Sequence, residues 1–226
     1  MRSIILFISI LAFSAAASAQ LIDSEAKDKR AAAVEQLSAL RSGSLLFRLS
    51  TKEPSISKLR EMGREDAADR MQSEVDAENR AIMEGFRKHF TFSKVYFFYS
   101  HHSQSVRAQN WDEVIFLSEE LKEDSTIHPD LSQPYLTADI GNVQKDVRNS
   151  AALRNNNGEM NGSSGRVGGT DFQSYGLIFR DSELVQLMKP FPYLIKQREF
   201  LFKRSYARMA QLAQERLEIA HERLSP

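Results

Sequence analysis

The sequence contains no cysteine among its 226 residues. This absence excludes a disulfide framework, a thiolate nucleophile, a cysteine-ligated metal and a lipid-modified amino-terminal cysteine. In an oxidising compartment the fold therefore has to be stabilised by the packing of its core.

An excess of either charge is also absent, because 30 lysine and arginine residues balance 30 aspartate and glutamate residues. A neutral chain exerts no strong general attraction on nucleic acid or on an anionic membrane, so no nucleic-acid partner is predicted. Charge is uneven along the chain: residues 112–146 carry nine acids and two lysines, whereas residues 189–223 carry eight bases and four acids. Solvated faces, contact between the two regions and a docking site for a charged partner are all compatible with this asymmetry.

Long apolar runs are lacking except near the start of the chain. A positive Arg2 precedes an apolar run over residues 4–13, and Ala17-Ser18-Ala19 then fits the small-x-small pattern of signal peptidase sites. We therefore predict that residues 1–19 are a signal peptide, that Gln20 becomes the first residue, and that the protein is exported to the periplasm or out of the cell. The apolar run is shorter than the roughly 20 residues of a membrane span, and no span is predicted in the mature chain.

Residues 20–226 are long enough to bury a core and short enough for one domain. Their hydrophobic pattern predicts a single α/β domain, with α+β as the alternative, in which a mixed sheet accompanies a long helical pair and a long carboxyl-terminal helix. The 114–117 strand is expected to pass into a helix near Ser118. The predicted helices cover residues 24–40, 54–62, 64–90 and 198–224, and the predicted strands cover residues 45–49, 95–99, 114–117, 135–140, 175–179 and 193–195.

Residues 154–170 are rich in asparagine, glycine and serine. Such a composition buries too little apolar surface to offset the cost of ordering, so we predict a flexible loop inside the domain. A phosphate cradle at residues 165–170 is the alternative, but no Gly-Lys-Ser/Thr follows and no helix is predicted to begin there.

Two helices carry apolar stripes that raise specific questions. In the 64–90 helix, Glu78 and Asn79 interrupt the stripe; they either mark a polar site or lie at the edge of the stripe, and we favour the edge. The stripe of the last helix must be covered by the rest of the chain or by a second copy, and we favour intramolecular packing. That stripe comprises Phe202, Tyr206, Met209, Ala213, Leu217, Ala220 and Leu224.

Two aromatic segments, GFRKHFTFSKVYFFYS at residues 85–100 and YGLIFRDSELVQLMKPFPYLIK at residues 175–196, give the chain a family resemblance. It resembles a group of uncharacterised exported proteins of Bacteroidota, and the resemblance covers most of the mature chain. Both segments have the composition of a core, so the resemblance implies a shared fold and carries no activity or site residues.

His101-His102, just after the predicted strand at residues 95–99, is the densest group of chemically capable side chains. Ligands of open α/β sheets bind at such strand ends. Neighbouring residues of an extended chain point to opposite sides, however, and a zinc site usually needs three or four converging ligands. We therefore predict no metal and no other cofactor, although His89, His128 and a carboxylate such as Asp112 remain possible contributors through the fold.

No other catalytic constellation is evident, and the catalytic residues are left unknown. Ser100, Ser103 and Ser105 flank the histidines without a Gly-x-Ser-x-Gly elbow. The carboxylate pairs Glu119-Glu120 and Glu123-Asp124 are interpreted as the solvated surface of a helix.

Two hypotheses about function remain. We favour an exported, non-catalytic binding or structural protein of the cell envelope, with an envelope protein as its possible partner. The alternative is a hydrolase-like enzyme that uses the loop after Tyr99, which requires His101, His102, Arg107 and a carboxylate to converge in one pocket.

Overall fold

The computed structural model describes residues 25–143, 174–199 and 202–224. The predicted signal peptide and the predicted loop at residues 154–170 lie outside these ranges. The helices are α1 (residues 25–42), α2 (Glu53–Glu61), α3 (Glu65–His89), α4 (Ser103–Ala108) and α5 (Tyr206–Leu224), with short 3-10 turns at Ser100–His102 and Trp111–Glu113. The strands are β1 (Ser44–Leu49), β2 (Lys94–Tyr99), β3 (Phe116–Leu117), β4 (Glu123–Asp124), β5 (Tyr135–Asn142), β6 (Tyr175–Arg180), β7 (Leu194–Lys196), β8 (Arg198–Glu199) and β9 (Phe202–Lys203).

Seven of the strands form one mixed sheet in the order β4-β3-β2-β1-β5-β6-β7. The central strand β1 pairs in parallel with both β2 and β5, and the register places Phe47 beside Phe97 and Ala138. The outer strands pair antiparallel. The predicted α/β domain with a mixed sheet is therefore confirmed, and the carboxyl ends of three parallel strands lie at one edge of the sheet.

Side-chain alternation along β1 divides the core between the two faces of the sheet. Leu45, Phe47 and Leu49 pack with buried residues of α1, α3 and α5 in the larger cluster. Leu46 points the other way and packs in a smaller cluster with Phe98 and residues of α4 and the following loops. The period-2 alternation of a strand thus gives one helix-covered face and one loop-covered face.

The predicted coverage of the last helix is confirmed over most of its length. Met209, Ala213 and Leu217 are fully buried in the larger cluster, and α5 packs along α3. The start of the helix was predicted wrongly, because α5 begins at Tyr206 and the preceding strands β8 and β9 pair antiparallel with each other. Phe202 is consequently 79% exposed instead of contributing to the stripe.

The predicted helix near Ser118 is also wrong. The Ser118 amide donates to the Lys122 carbonyl at 2.8 Å, which closes a tight turn between β3 and β4. Leu121 adopts a left-handed conformation with φ of 62°. A sequence with Glu119 and Glu120 in a first turn is typical of a helix start, but the tertiary pairing of β3 with β2 determines the outcome.

Among the described strands, those of the acidic region do not pair with those of the basic region. The acidic β4 forms one edge strand and β7, in the basic region, forms the other. Among the described residues, no helix combines the length and apolar character that crossing a membrane requires.

Candidate functional site

The strand order reverses at β1, and this reversal locates the candidate site. From β1 the chain runs through α2 and α3 to β2 on one side, and it later adds β5 on the other side. Open α/β sheets bind ligands outside the carboxyl ends of the strands at such a reversal. The residues that follow β1 and β2 are Ser50 and Ser100, and the Thr51 amide there donates to the Ser100 Oγ at 3.3 Å.

His101 and His102 lie at this edge on the 3-10 turn that follows β2. The turn brings the two imidazole rings to a centroid separation of 4.3 Å. The premise that neighbouring histidines point to opposite sides of an extended chain therefore does not hold here. A 3-10 turn has about three residues per turn, so successive side chains need not lie on opposite sides of the backbone.

A carboxylate from β4 completes the cluster. Glu123 Oε1 lies 2.9 Å from His101 Nε2 and 3.1 Å from His102 Nε2. The side chains of His101, His102 and Glu123 are 43%, 13% and 38% exposed, so the cluster faces solvent while one imidazole is largely enclosed. One ligand atom from each residue lies within 4.8 Å of the others, an arrangement suited to a metal ion.

Tyr99 fixes the position of Glu123 relative to the histidines. Its hydroxyl donates to the Leu121 carbonyl at 2.7 Å, which ties the end of β2 to the β3-β4 turn. Burial, followed by the nearby carboxylates of Asp76 and Glu123, raises the pKa of Tyr99. The phenol is therefore protonated at neutral pH and serves as a hydrogen-bond donor.

A cleft of about 480 Å³ opens beside the cluster, between α2, α3 and the strand ends. His101 and Glu123 form part of its wall together with Tyr99 and Lys122. Its volume lies within the range of about 300–1,000 Å³ that is common for small-molecule sites. The cluster thus has protein ligands on one side and an open cleft on the other.

Asn79 and Glu78 of α3 both make hydrogen bonds to other elements near the carboxyl ends of the parallel strands. Asn79 is only 2% exposed, and its Nδ2 donates to the Ser50 carbonyl at 2.9 Å. The Tyr206 hydroxyl donates to the Glu78 carboxylate. The position favoured from sequence is therefore wrong for Asn79, and a hydrogen bond compensates for burying its amide.

A second smaller cleft, of about 280 Å³, lies between the ends of β1 and β5. Asp139 of β5 is buried beside it and is paired with two guanidinium groups, those of Arg48 and Arg180. The Arg180 Nε lies 3.1 Å from Asp139 Oδ1, and its Nη1 donates to the Leu184 carbonyl at 3.3 Å. Sequence reasoning did not identify this group, because its members are separated by 41 and 91 positions.

The remaining residues considered from sequence lie elsewhere. Arg107 donates to the Glu183 carbonyl, and His89 lies beside Gln211 on α5. Among the described residues, the hydroxyls of the three serines are engaged away from the histidines: Ser100 with Thr51, Ser103 with the Ser100 carbonyl and Ser105 with Glu113. The required convergence of Arg107 with the histidines is absent.

Comparison of the chain with known proteins identified no relative. No family model, curated protein or solved structure matches it.

Proposed function

We propose that this protein is an exported binding protein that holds a transition metal ion, zinc in the first instance, through His101, His102 and Glu123. The observation that carries the proposal is the approach of both imidazole Nε2 atoms to one carboxylate oxygen, at 2.9 and 3.1 Å. Tetrahedral ligands at zinc bond lengths of about 2.0–2.1 Å are separated by roughly 3.3 Å. Two of the three separations are therefore already close to those of ligands around one ion, and one ligand atom of each residue lies within 4.8 Å of the others.

The donor set favours zinc over magnesium or calcium. Two imidazoles suit zinc, copper, iron and nickel, whereas magnesium and calcium prefer an all-oxygen shell. Three protein ligands would leave a coordination position of the ion open, and two of these ligands, His101 and Glu123, line the neighbouring cleft. An ion at this site would accept a further ligand from the cleft or from water.

Zinc titration of the mature, untagged protein tests the proposal. We expect stoichiometric zinc binding to the unaltered chain and a loss of affinity of about tenfold or more in His101→Ala, His102→Ala and Glu123→Gln, since even the partners of ligands contribute tenfold or more. His128→Ala is the matched control, because it removes an exposed histidine outside the cluster, and it should bind zinc normally. Magnesium should not compete.

Acidification provides a second readout of the same site. Metal-bound imidazoles must be deprotonated, so the zinc affinity should fall as the pH is lowered and binding should release protons. Equal zinc affinity in the unaltered protein and in the His101→Ala/His102→Ala double variant would refute the proposed centre.

The export component rests on the amino-terminal pattern of Arg2, the apolar run over residues 4–13 and Ala17-Ser18-Ala19. We expect the intact mass of the protein recovered from the periplasm or the medium to correspond to a chain that begins at Gln20. Recovery of a cytoplasmic product that retains residues 1–19 would refute export without affecting the metal proposal.

Hydrolysis is the second candidate function, favoured by the open position beside the cleft. A zinc ion lowers the pKa of a bound water to about 7 and thereby supplies a nucleophile. If the protein is a hydrolase, the zinc-loaded form should cleave a simple ester such as p-nitrophenyl acetate faster than the His102→Ala variant. Equal rates in the zinc-loaded protein and in the His102→Ala variant would refute hydrolysis of this ester at the site and would leave the metal-binding proposal unchanged.

A further inference from the structure

The smaller cleft between the carboxyl ends of β1 and β5 is separate from the histidine cluster and has its own chemistry. Its wall, which encloses about 280 Å³, includes two residues with cationic side chains, Arg48 and Lys52, and two with carboxylates, Glu78 and Asp139. This volume is just below the usual range of about 300–1,000 Å³ for ligand sites. A ligand that fits this cleft must be small and must carry both a negatively and a positively charged group.

The cationic part of the wall carries an excess of positive charge. Asp139 is 4% exposed and is shared by two guanidiniums, so the group of Arg48, Asp139 and Arg180 has a net charge of +1. Arg180 is buried, whereas the Arg48 side chain remains 30% exposed where it borders the cleft. A guanidinium held in this way is well suited to bind a carboxylate, because its planar fork of donors is already oriented.

Lys52 adds a second cation in an unusual backbone conformation. It follows β1 and precedes α2 with φ of 49° and ψ of 21°, in the left-handed region. Non-glycine residues in sparsely populated conformations persist only where the surrounding structure holds them, and they cluster at ligand sites. Lys52 is thereby placed in the wall of the cleft that Arg48 also lines.

Glu78 provides the anionic part of the wall on α3. The Tyr206 hydroxyl donates to its carboxylate, and Gln197 Nε2 in turn donates to the Tyr206 oxygen at 3.1 Å. This chain of hydrogen bonds holds the carboxylate in place. The pKa of Tyr175, which also lines the cleft, is raised first by burial and then by the charges of Glu78 and Asp139, so both acids act on the same small volume.

We propose that this cleft binds a small zwitterion of the α-amino acid class, with the ligand carboxylate against Arg48 and Lys52 and its ammonium group against Glu78. The size of the cleft restricts the side chain to a small one, and opposite charges on the wall match opposite charges at the two ends of one short molecule. This inference is independent of the proposed metal centre.

Calorimetric titration of the mature protein in the presence of EDTA tests the assignment, with glycine and L-alanine as probes and acetate and methylammonium as singly charged controls. We expect the amino acids to bind and the controls to bind much more weakly, because each control satisfies only half of the wall. Lys52→Gln and Glu78→Gln should each lower the affinity for L-alanine by about tenfold or more, the effect of removing a charged hydrogen-bond partner.

The variants are chosen so that the fold is retained. Glutamine at position 78 keeps an oxygen that can accept from Tyr206, and Lys52 is exposed. Lys58→Gln on α2 and Glu84→Gln on α3 make the same charge changes at exposed positions outside this cleft and should bind L-alanine normally. The absence of binding to either amino acid at millimolar concentration, equal binding of the singly charged controls, or unchanged affinity in Lys52→Gln and Glu78→Gln would each overturn the proposal.

Discussion

Replacing Gly85 with alanine is expected to destabilise the protein, although the same change in most helices is stabilising. Gly85 lies inside α3 where α5 crosses it. A Cβ at this position would lie 2.8 Å from the Ala207 nitrogen and 3.0 Å from both the Ala207 Cα and the Tyr206 carbonyl carbon. These atoms belong to the backbone of the first turn of α5, so no flexible side chain can move aside to relieve the contact.

The magnitude follows from two opposing contributions. Alanine is better than glycine in a helix interior by about 1 kcal/mol. Overpacking a well-filled site costs about 1–3 kcal/mol, and contact with a second helix backbone places Gly85→Ala in the upper part of that range, at about 2–3 kcal/mol. The expected net loss in the free energy of unfolding is therefore about 1–2 kcal/mol.

Urea denaturation followed by circular dichroism measures this loss as a lower midpoint at constant slope. Two variants on the same helix provide the controls. Ala77→Gly, at an exposed position, should lose about 1 kcal/mol and so measures the propensity contribution. Glu84→Ala, also exposed, should change stability by no more than about 0.5 kcal/mol. A Gly85→Ala protein more stable than the parent would refute the close approach of α5.

Three further perturbations test other parts of the structure. Asn79→Ala removes the donor to the Ser50 carbonyl and should lower the free energy of unfolding by about 1–3 kcal/mol in urea titration; an unchanged midpoint would contradict the role of the amide. Met209→Asp buries a charge in the larger cluster, so circular dichroism should show an unfolded protein. If light scattering instead shows that the variant is a folded monomer and the parent a dimer, Met209 lies in a dimer interface. Burial, reinforced by Glu78, raises the pKa of Tyr206. The protonated phenol therefore contributes its full stabilisation below the unfolded-state pKa of about 10, and this contribution is lost as the pH rises further. Tyr206→Phe should lose less stability at alkaline pH than the parent, and identical pH profiles of the two proteins would argue against this linkage.

Long periodic segments were predictable because their pattern is local. The apolar repeat through Val75, Ile82 and Phe86 predicted α3 to within one residue at each end, and Gly63, with φ of 68°, ends the short preceding helix as expected. The strand predicted at residues 95–99 is interior to the sheet, next to β1. In each case the residues that determine the element are within the element.

Predictions failed where the structure depends on contacts that the apolar spacing does not encode. The helical spacing of α5 continues back to residue 198 in the sequence, but β8 and β9 pair there as strands and Phe202 is exposed. The Asn79 amide is interior because the Ser50 carbonyl, 29 positions away, supplies its partner. Neither the pairing of β8 with β9 nor the Ser50 carbonyl as a partner of Asn79 can be recognised from the spacing of apolar residues.

The sequence by itself determined the absence of thiol chemistry, the long helix α3, the strand β2 and the presence of a histidine pair after that strand. Only the tertiary structure decided that this pair meets a carboxylate. Glu123 is 22 positions from His101, and it arrives through a β3-β4 turn whose Leu121 adopts a left-handed conformation that its sequence does not favour. The pairing of β3 with β2 and the Tyr99 hydrogen bond to the turn hold it there. Convergence of side chains at a strand end depends on which strands become neighbours, and that is a property of the packed sheet rather than of any single segment.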